Sequence, residues 1–173
     1  MSQKSPSATV KNAAGSTPDC ELVLLPGWLI FTAEDCYRKP QYAHFMIQNS
    51  ESLPVVYRIR TKDRSFPQFS HCHGYLPPHG SDEITVLITA RGHWPREVNE
   101  YAGKRLKVLI ENLAVPPYTT PPKNANAGAE LSRIIFKSTP PLTRMYCKLN
   151  IILPKITDGS SEKSISLTRT ILY

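Results

Sequence analysis

The stretch VVYRIRTK, residues 55–62, follows the chain breaker Leu53-Pro54 and is the clearest strand signal in the sequence. With a period of two, its apolar odd-numbered positions fall on one face, and Val56, Arg58 and Arg60 fall on the other. The pattern predicts a half-buried strand with two arginines on its solvent face. Arginines without neighbouring acids favour an anionic partner, supplied by this chain or by another.

The composition around this strand is that of a soluble β protein. A chain of 173 residues fits one domain with tails, and its 40% apolar and 20% charged residues are ordinary values. Sixteen prolines against eight glycines separate short apolar runs. Because proline breaks helices and is tolerated between strands, this spacing predicts many short strands rather than a helical bundle.

Further apolar runs on either side of the opening strand predict about seven strands in all. The runs at 22–25 and 28–31 are interpreted as one edge strand that Pro26-Gly27 interrupts. Since little between the runs looks helical, we expect an all-β antiparallel sandwich with Greek-key connections. The other predicted strands are residues 42–48, 83–90, 104–111, 133–136 and 145–153.

The predicted domain occupies residues 19–154. Residues 1–18 are rich in Ser, Ala, Thr and Lys and are expected to be a disordered tail. Residues 115–128 (VPPYTTPPKNANAG) are expected to form a mobile proline-rich loop, and residues 155–173 a polar C-terminal tail.

The net charge of +7 is spread over the domain and its tails. The tail at 1–18 contributes +2 and the tail at 155–173 contributes +1, which leaves +4 for the predicted domain. A charge of this size does not require nucleic acid as the partner, so nucleic-acid binding by charge alone is a third-ranked alternative.

Side chains that could hold a metal or perform catalysis form one cluster, His71-Cys72-His73 with His79. Strand alternation sends Cys72 away from both neighbouring histidines, and the intervals match no zinc pattern. No acid is marked to orient a Cys–His pair, and no glycine-rich phosphate loop is present. We therefore expect no metal, no cofactor and no enzymatic activity.

Three further expectations concern location and the tryptophans. The sequence contains no apolar run of the roughly 20 residues that a membrane-spanning helix needs, and no signal peptide, so a cytoplasmic protein is expected. Trp28 lies inside an apolar run and is expected in the core. Trp94 lies between strands and is expected to be an exposed contact residue.

Four motifs in order resemble the major sperm protein (MSP) domain, which nematode sperm proteins and the membrane-contact VAP proteins share. The resemblance covers residues 21–154. The motifs are YRIRT at 57–61, the link Gly74-x-Leu76-x-Pro78-x-x-Ser81, the basic strand 104–110 leading to Pro116-Pro117, and CKLNIILP at 147–154.

The resemblance implies an immunoglobulin-like seven-stranded sandwich without enzymatic activity that binds other proteins. VAP-type members bind acidic FFAT peptides across a basic face, whereas sperm-type members assemble into filaments or bind cytoskeletal proteins. Our preferred expectation is a cytoskeletal or self-assembling partner, including homo-oligomers; the alternative is an acidic peptide. The expected partner-binding residues are Arg58, Arg60, Thr61, Lys62, Arg105, Lys107 and Lys148, of which Lys62 and Lys107 replace a threonine and a methionine of VAP-type domains.

Overall fold

The computed structural model describes residues 13–157. They form nine strands and two α-helices, with short 3-10 turns at Arg91–His93 and Pro141–Thr143. The strands are β1 (Val23–Leu25), β2 (Trp28–Ile30), β3 (Gln41–Gln48), β4 (Val55–Arg60), β5 (Gln68–Phe69), β6 (His73–Leu76), β7 (Ser81–Ile88), β8 (Lys104–Ala114) and β9 (Met145–Leu153); the helices are α1 (Val98–Tyr101) and α2 (Ala125–Ser138).

Two sheets pack face to face, which confirms the predicted immunoglobulin-like β-sandwich. One sheet has the order β1-β3-β7-β5 and the other has the order β2-β9-β8-β4-β6. All strand pairs are antiparallel except β2 with β9, which are parallel. The predicted edge strand is divided at the cis Leu25–Pro26 bond, so that β1 joins one sheet and β2 the other.

The core lies between the sheets and follows the predicted alternation. Alternate residues are buried along most of β7 and in the second halves of β3 and β9, with exposed or half-buried residues between them. In β4 and β8, residues 55–57 and 110–114 are buried on both faces of the sheet. Short β5 and β6 were not predicted as strands; β6 occupies part of what the sequence suggested was a turn-rich link. The core side chains include Phe45, Ile47, Val55, Tyr57, Ile84, Val86, Ile88, Val108, Ile110, Leu149, Ile151 and Leu153.

Helix α2 corrects two predictions. The proline-rich loop ends at Asn124 rather than at residue 128, and residues 133–136, predicted as a strand, are helical. The helix begins where the Asn124 side chain accepts a hydrogen bond from the Ala127 backbone N–H at 2.8 Å, which is an N-cap. Leu131 and Ile135 then lie four residues apart on one face, as an amphipathic helix requires.

The apolar face of α2 covers the outward side of the second sheet. Ile135 and Phe136 pack there against Val56 of β4 and Leu113 of β8 in a small second core. Gly128 lets the helix approach β6 closely, because a Cβ at this position would lie 3.2 Å from the Cβ of Tyr75. The face of β4 that the sequence predicted to be solvent-exposed is therefore half covered.

The ordered chain begins before residue 19. Ser16 and Ala114 exchange two backbone hydrogen bonds of 3.2 and 2.8 Å, which adds a short bridge to the end of β8. The Gly15 backbone N–H donates to the Thr139 hydroxyl at 2.8 Å. Residues 13–18 thus belong to the folded domain, whereas the remaining predictions for the tails, at 1–12 and 158–173, lie outside the described residues.

Both tryptophan predictions are wrong. Trp94 is only 8% exposed and its ring packs against Tyr37, Phe66 and Tyr101, with centroids 5.1 to 5.6 Å apart. Trp28 is 49% exposed because β2 is an edge strand and its side chain points away from the core. An apolar run in the sequence did not show that Trp28 lies on the outer face of an edge strand, and a place between strands did not show that Trp94 is covered by aromatic rings.

Candidate protein-interaction site

A groove opens where β4 ends and β8 continues alone. β4 pairs with β8 as far as Arg60 opposite Leu109, so residues 104–108 of β8 pair only with β9 among the described strands. The gap beside them is a cavity of about 360 Å³, which we call the basic groove. It is lined by the first residues of β8, the chain that follows β4, and helix α1.

Five basic side chains and two acids line the basic groove. The acid Asp63 is engaged internally, since it accepts hydrogen bonds from the Tyr101 hydroxyl at 2.8 Å and from Arg96 Nε at 3.0 Å. The Tyr101 hydrogen bond and the Arg96 charge lower the pKa of the Asp63 carboxyl, so it stays ionised and neutralises Arg96. The four remaining cations form no salt bridge with any acid of residues 13–157: Lys62, Lys104, Arg105 and Lys107.

Apolar side chains form the floor of the basic groove. Phe66 and Tyr101 stack at a centroid distance of 4.4 Å, and Pro67 and Leu106 flank them. Trp94 supports this floor from the core side, with its centroid 5.1 Å from that of Phe66. Phe66 and Tyr101 are only 2% and 4% exposed, so the half-buried Leu106 offers most of the apolar surface that a partner can reach in the basic groove. Positive charge beside such a surface suits an acidic segment with an apolar anchor.

The seven predicted binding residues fall into three places. Four of them line the basic groove: Thr61, Lys62, Arg105 and Lys107. Arg60 and Lys148 lie beside it, on either side of Leu109 on the outward face of the sheet. Arg58 lies under α2, on the part of the face that the helix covers.

The arginine face of β4 has an anionic partner within this chain. Glu111 is 5% exposed, and its Oε1 accepts hydrogen bonds from Arg58 at 3.2 Å from Nε and 2.9 Å from Nη2. Arg60 Nη1 lies 3.6 Å from the same oxygen, and Arg144 Nη1 donates to Oε2 at 3.4 Å. The prediction of two solvent-facing arginines is thus wrong for Arg58 and right for Arg60, whose side chain is 55% exposed.

Some residues of this surface were missed in the sequence. Glu111 follows Arg105 and Lys107 at even spacing along β8 and so lies on the same face of the strand. Its outward position could therefore have been predicted from the sequence of β8 alone. Arg96 and Arg144 lie in connections between elements, where period-two patterns carry no information. Arg105 gains a further contact, since its guanidinium lies 5.7 Å from the centre of the exposed Trp28 ring.

The histidine cluster is dispersed by the fold. His71 Nε2 lies 2.8 Å from an Asp82 oxygen, while His73 Nδ1 lies 3.4 Å from the Ser132 hydroxyl under α2. Within residues 13–157, no three His, Cys, Asp or Glu side chains are grouped so that they could hold a metal ion. Of the helices in this range, none has the length and apolar character needed to cross a bilayer.

Comparison with solved structures identifies the fold. SSP-19 of Caenorhabditis elegans, an MSP-domain-like family member, superposes with a TM-score of 0.52 over 76% of this chain and 99% of its own, at 14% identity. The chain folds as an MSP domain. WR4, a C. elegans MSP family member, matches with a TM-score of 0.51 over 78% of this chain and 96% of its own, at 10% identity.

The likeness to these MSP proteins is one of fold. No protein-family model matches the sequence, and no curated protein does. At identities of 14% and 10%, what this chain shares with the two proteins is their fold.

Proposed function

We propose that this MSP-type domain is a non-catalytic protein-interaction module that binds an acidic segment of a partner protein in the basic groove. The observation that carries the proposal is the set of four cations around an apolar floor that have no salt-bridge partner within residues 13–157. Of the two partner types expected from the sequence, the groove favours the acidic segment. Lys107 adds charge there, while the half-buried Leu106 supplies apolar surface above the buried Phe66 ring.

The unpaired edge of β8 allows a segment of the partner to lie alongside this strand. Residues 104–108 of β8 border the basic groove on the side where β4 has ended. An extended segment can lie along such an edge, while its acidic side chains reach Lys62 and Lys107 and an apolar side chain contacts the Phe66 floor. Because the cations are exposed, salt should slow association and weaken affinity.

Fluorescence anisotropy with a labelled short acidic peptide that contains one phenylalanine tests the proposal. Lys62→Glu with Lys107→Glu should weaken binding by about 100-fold, since two charge-assisted contacts become repulsive. The matched control is Lys39→Glu with Lys123→Glu, which changes the net charge equally at exposed positions outside the groove.

Two results would overturn the proposal. Equal loss in both double variants would mean that the peptide senses only the net charge. Tighter binding of a DNA duplex than of the peptide, with the same dependence on Lys62 and Lys107, would assign the basic groove to nucleic acid instead.

A second candidate function is self-assembly, which agrees with the filament-forming partners that the sequence resemblance implies. The edge strands β1 and β2 expose four apolar side chains: Val23 at 38%, Leu25 at 52%, Trp28 at 49% and Ile30 at 49%. Exposed apolar edge strands pair readily with further strands. Sedimentation over a range of concentrations should show oligomers that Leu25→Lys with Ile30→Lys disperses; a monomer at every concentration would refute this candidate.

A further inference from the structure

A second cavity lies between α2 and the sheet and has no counterpart among the predicted sites. Its volume is about 390 Å³, and we call it the anion cleft. Basic side chains from three parts of the chain converge on it: Arg58 of β4, Arg133 and Lys137 of α2, and Arg144 before β9. His73, Phe136, Thr139 and Pro141 complete the lining.

Positive charge exceeds negative charge around the anion cleft. Glu111 is shared by Arg58, Arg60 and Arg144, so one carboxylate serves three guanidinium groups. On the helix, Arg133 pairs with the exposed Glu130 at 3.3 Å, whereas Lys137 forms no salt bridge with any described acid. The partial negative charge at the C-terminal end of α2 opposes an anion here, but it amounts to only about half an elementary charge.

One donor of a cleft-lining residue has no acceptor among residues 13–157. Arg144 Nε is buried and has no hydrogen-bond partner in the structure, although Arg144 Nη1 reaches Glu111. Buried polar groups are nearly always paired, because an unpaired one loses its hydration without compensation. Glu111 therefore leaves part of the hydrogen-bonding capacity of Arg144 unused, and Arg144 is one of the residues that line the cleft.

The guanidinium groups are held in place before any ligand arrives. Arg58 lies 4.8 Å and Arg144 lies 5.7 Å from the centre of the Phe136 ring, so both contact one rigid aromatic side chain. Glu111 also holds both guanidinium groups through salt bridges. Preorganised cations bind an anion with little loss of side-chain entropy.

The pKa of His73 responds to the positive charge around the anion cleft. Burial, followed by the charges of Arg133 and Arg58, lowers the pKa of the imidazole from 6.5 to about 4, so His73 is neutral at pH 7. An anion beside it would cancel part of this field. The pKa of His73 should then rise when the cleft is occupied.

We propose that the anion cleft binds a phosphate monoester group. A phosphate dianion matches the excess of positive charge and offers several acceptor oxygens to the arginine and lysine donors, whereas a carboxylate would leave more of that charge unpaired. The same group occurs on phosphorylated side chains of proteins and on small phosphate esters. The site is independent of the basic groove, since none of the basic residues of one cavity lines the other.

Titration of the full-length protein with inorganic phosphate, against chloride at equal ionic strength, tests the proposal. Phosphate should raise the melting temperature with a saturable dependence on concentration, and the imidazole NMR signals of His73 should titrate at higher pH. Absence of a saturable effect beyond that of chloride would overturn the proposal, as would an unchanged His73 titration.

Two charge reversals locate the site. Lys137→Glu should weaken phosphate binding by at least about tenfold, as expected for one lost charge-assisted contact, whereas Lys123→Glu should leave it unchanged. Both side chains are exposed, so neither variant removes core packing. Equal affinity in the Lys137→Glu variant and the parent would refute the assignment. Tighter binding of a phosphoserine peptide than of adenosine monophosphate would identify a phosphoprotein as the source, and the reverse order a small ester.

Discussion

Replacing Glu111 by glutamine removes the one negative charge that holds together three arginines. Arg58 and Arg144 are 22% and 15% exposed, so the substitution would leave two largely buried guanidinium groups without a counter-charge. Breaking a buried ion pair by removing one partner costs about 3–5 kcal/mol. The lower end applies here, because Arg60 is 55% exposed and can turn to water.

A loss of about 3 kcal/mol in the free energy of unfolding is large for a domain whose total stability is of order 5–15 kcal/mol. At roughly 2–4 °C per kcal/mol for a chain of this size, Glu111→Gln should lower the melting temperature by about 6–12 °C. Urea denaturation followed by tryptophan fluorescence measures the change directly. The denaturant slope should stay constant if only the native state is affected.

The matched control is Glu130→Gln, which removes a carboxylate that is 63% exposed and pairs with Arg133 at 3.3 Å. An exposed pair contributes about 0–1 kcal/mol, so this variant should unfold almost as the parent does. If Glu111→Gln costs no more than Glu130→Gln, Glu111 does not organise the arginines. The covered part of the sheet would then be held by α2 packing alone.

Three further predictions concern α2 and its neighbours. Phe136→Ala should cost about 3–5 kcal/mol in urea denaturation, because the ring is 2% exposed and supports both guanidinium groups; a cost below 1 kcal/mol would contradict its buried position. Asn124→Ala should cost about 1 kcal/mol through loss of the helix cap, and Asn124→Asp should retain most of the stability. The pKa of His73 is about 4 in the folded protein and 6.5 for an ordinary histidine, so the unfolded state binds more protons between these values. The stability contributed by neutral His73 is therefore present above pH 6.5 and is lost as the pH falls towards 4. The loss should be about 1–2 kcal/mol in the free energy of unfolding after allowance for solvent screening. His73→Gln should flatten this part of the plot of unfolding free energy against pH.

The strands could be predicted where alternation reflects burial on one side. Phe45 and Ile47 of β3 and Ile84 and Val86 of β7 face the core because a period of two leaves no other arrangement for a two-sheet sandwich. Alternation gives the direction of a side chain but not what covers it. Arg58 was therefore placed on the correct face, while the helix above that face was missed.

Helix α2 could have been found from its start signal. Asn124 precedes three alanines at alternate positions (125, 127 and 129), and Leu131 with Ile135 follows at helical spacing. The prolines before them and the short apolar run at residues 133–136 suggested a loop and a strand. The basic groove is different, because Lys62 and Lys107 are visible in the sequence, whereas tertiary packing brings them to the same cavity as residues of α1. Such a cavity cannot be predicted from local periodicity.

Mapping of backbone amide shifts by NMR, with the labelled domain titrated by the acidic peptide, tests the central claim most directly. The basic groove predicts that shifts concentrate at residues 61–62 and 104–107, and that they vanish in Lys62→Glu with Lys107→Glu but persist in Lys39→Glu with Lys123→Glu. Shifts centred on another surface, or none at peptide concentrations that give binding by anisotropy, would contradict a partner-binding groove beside β8.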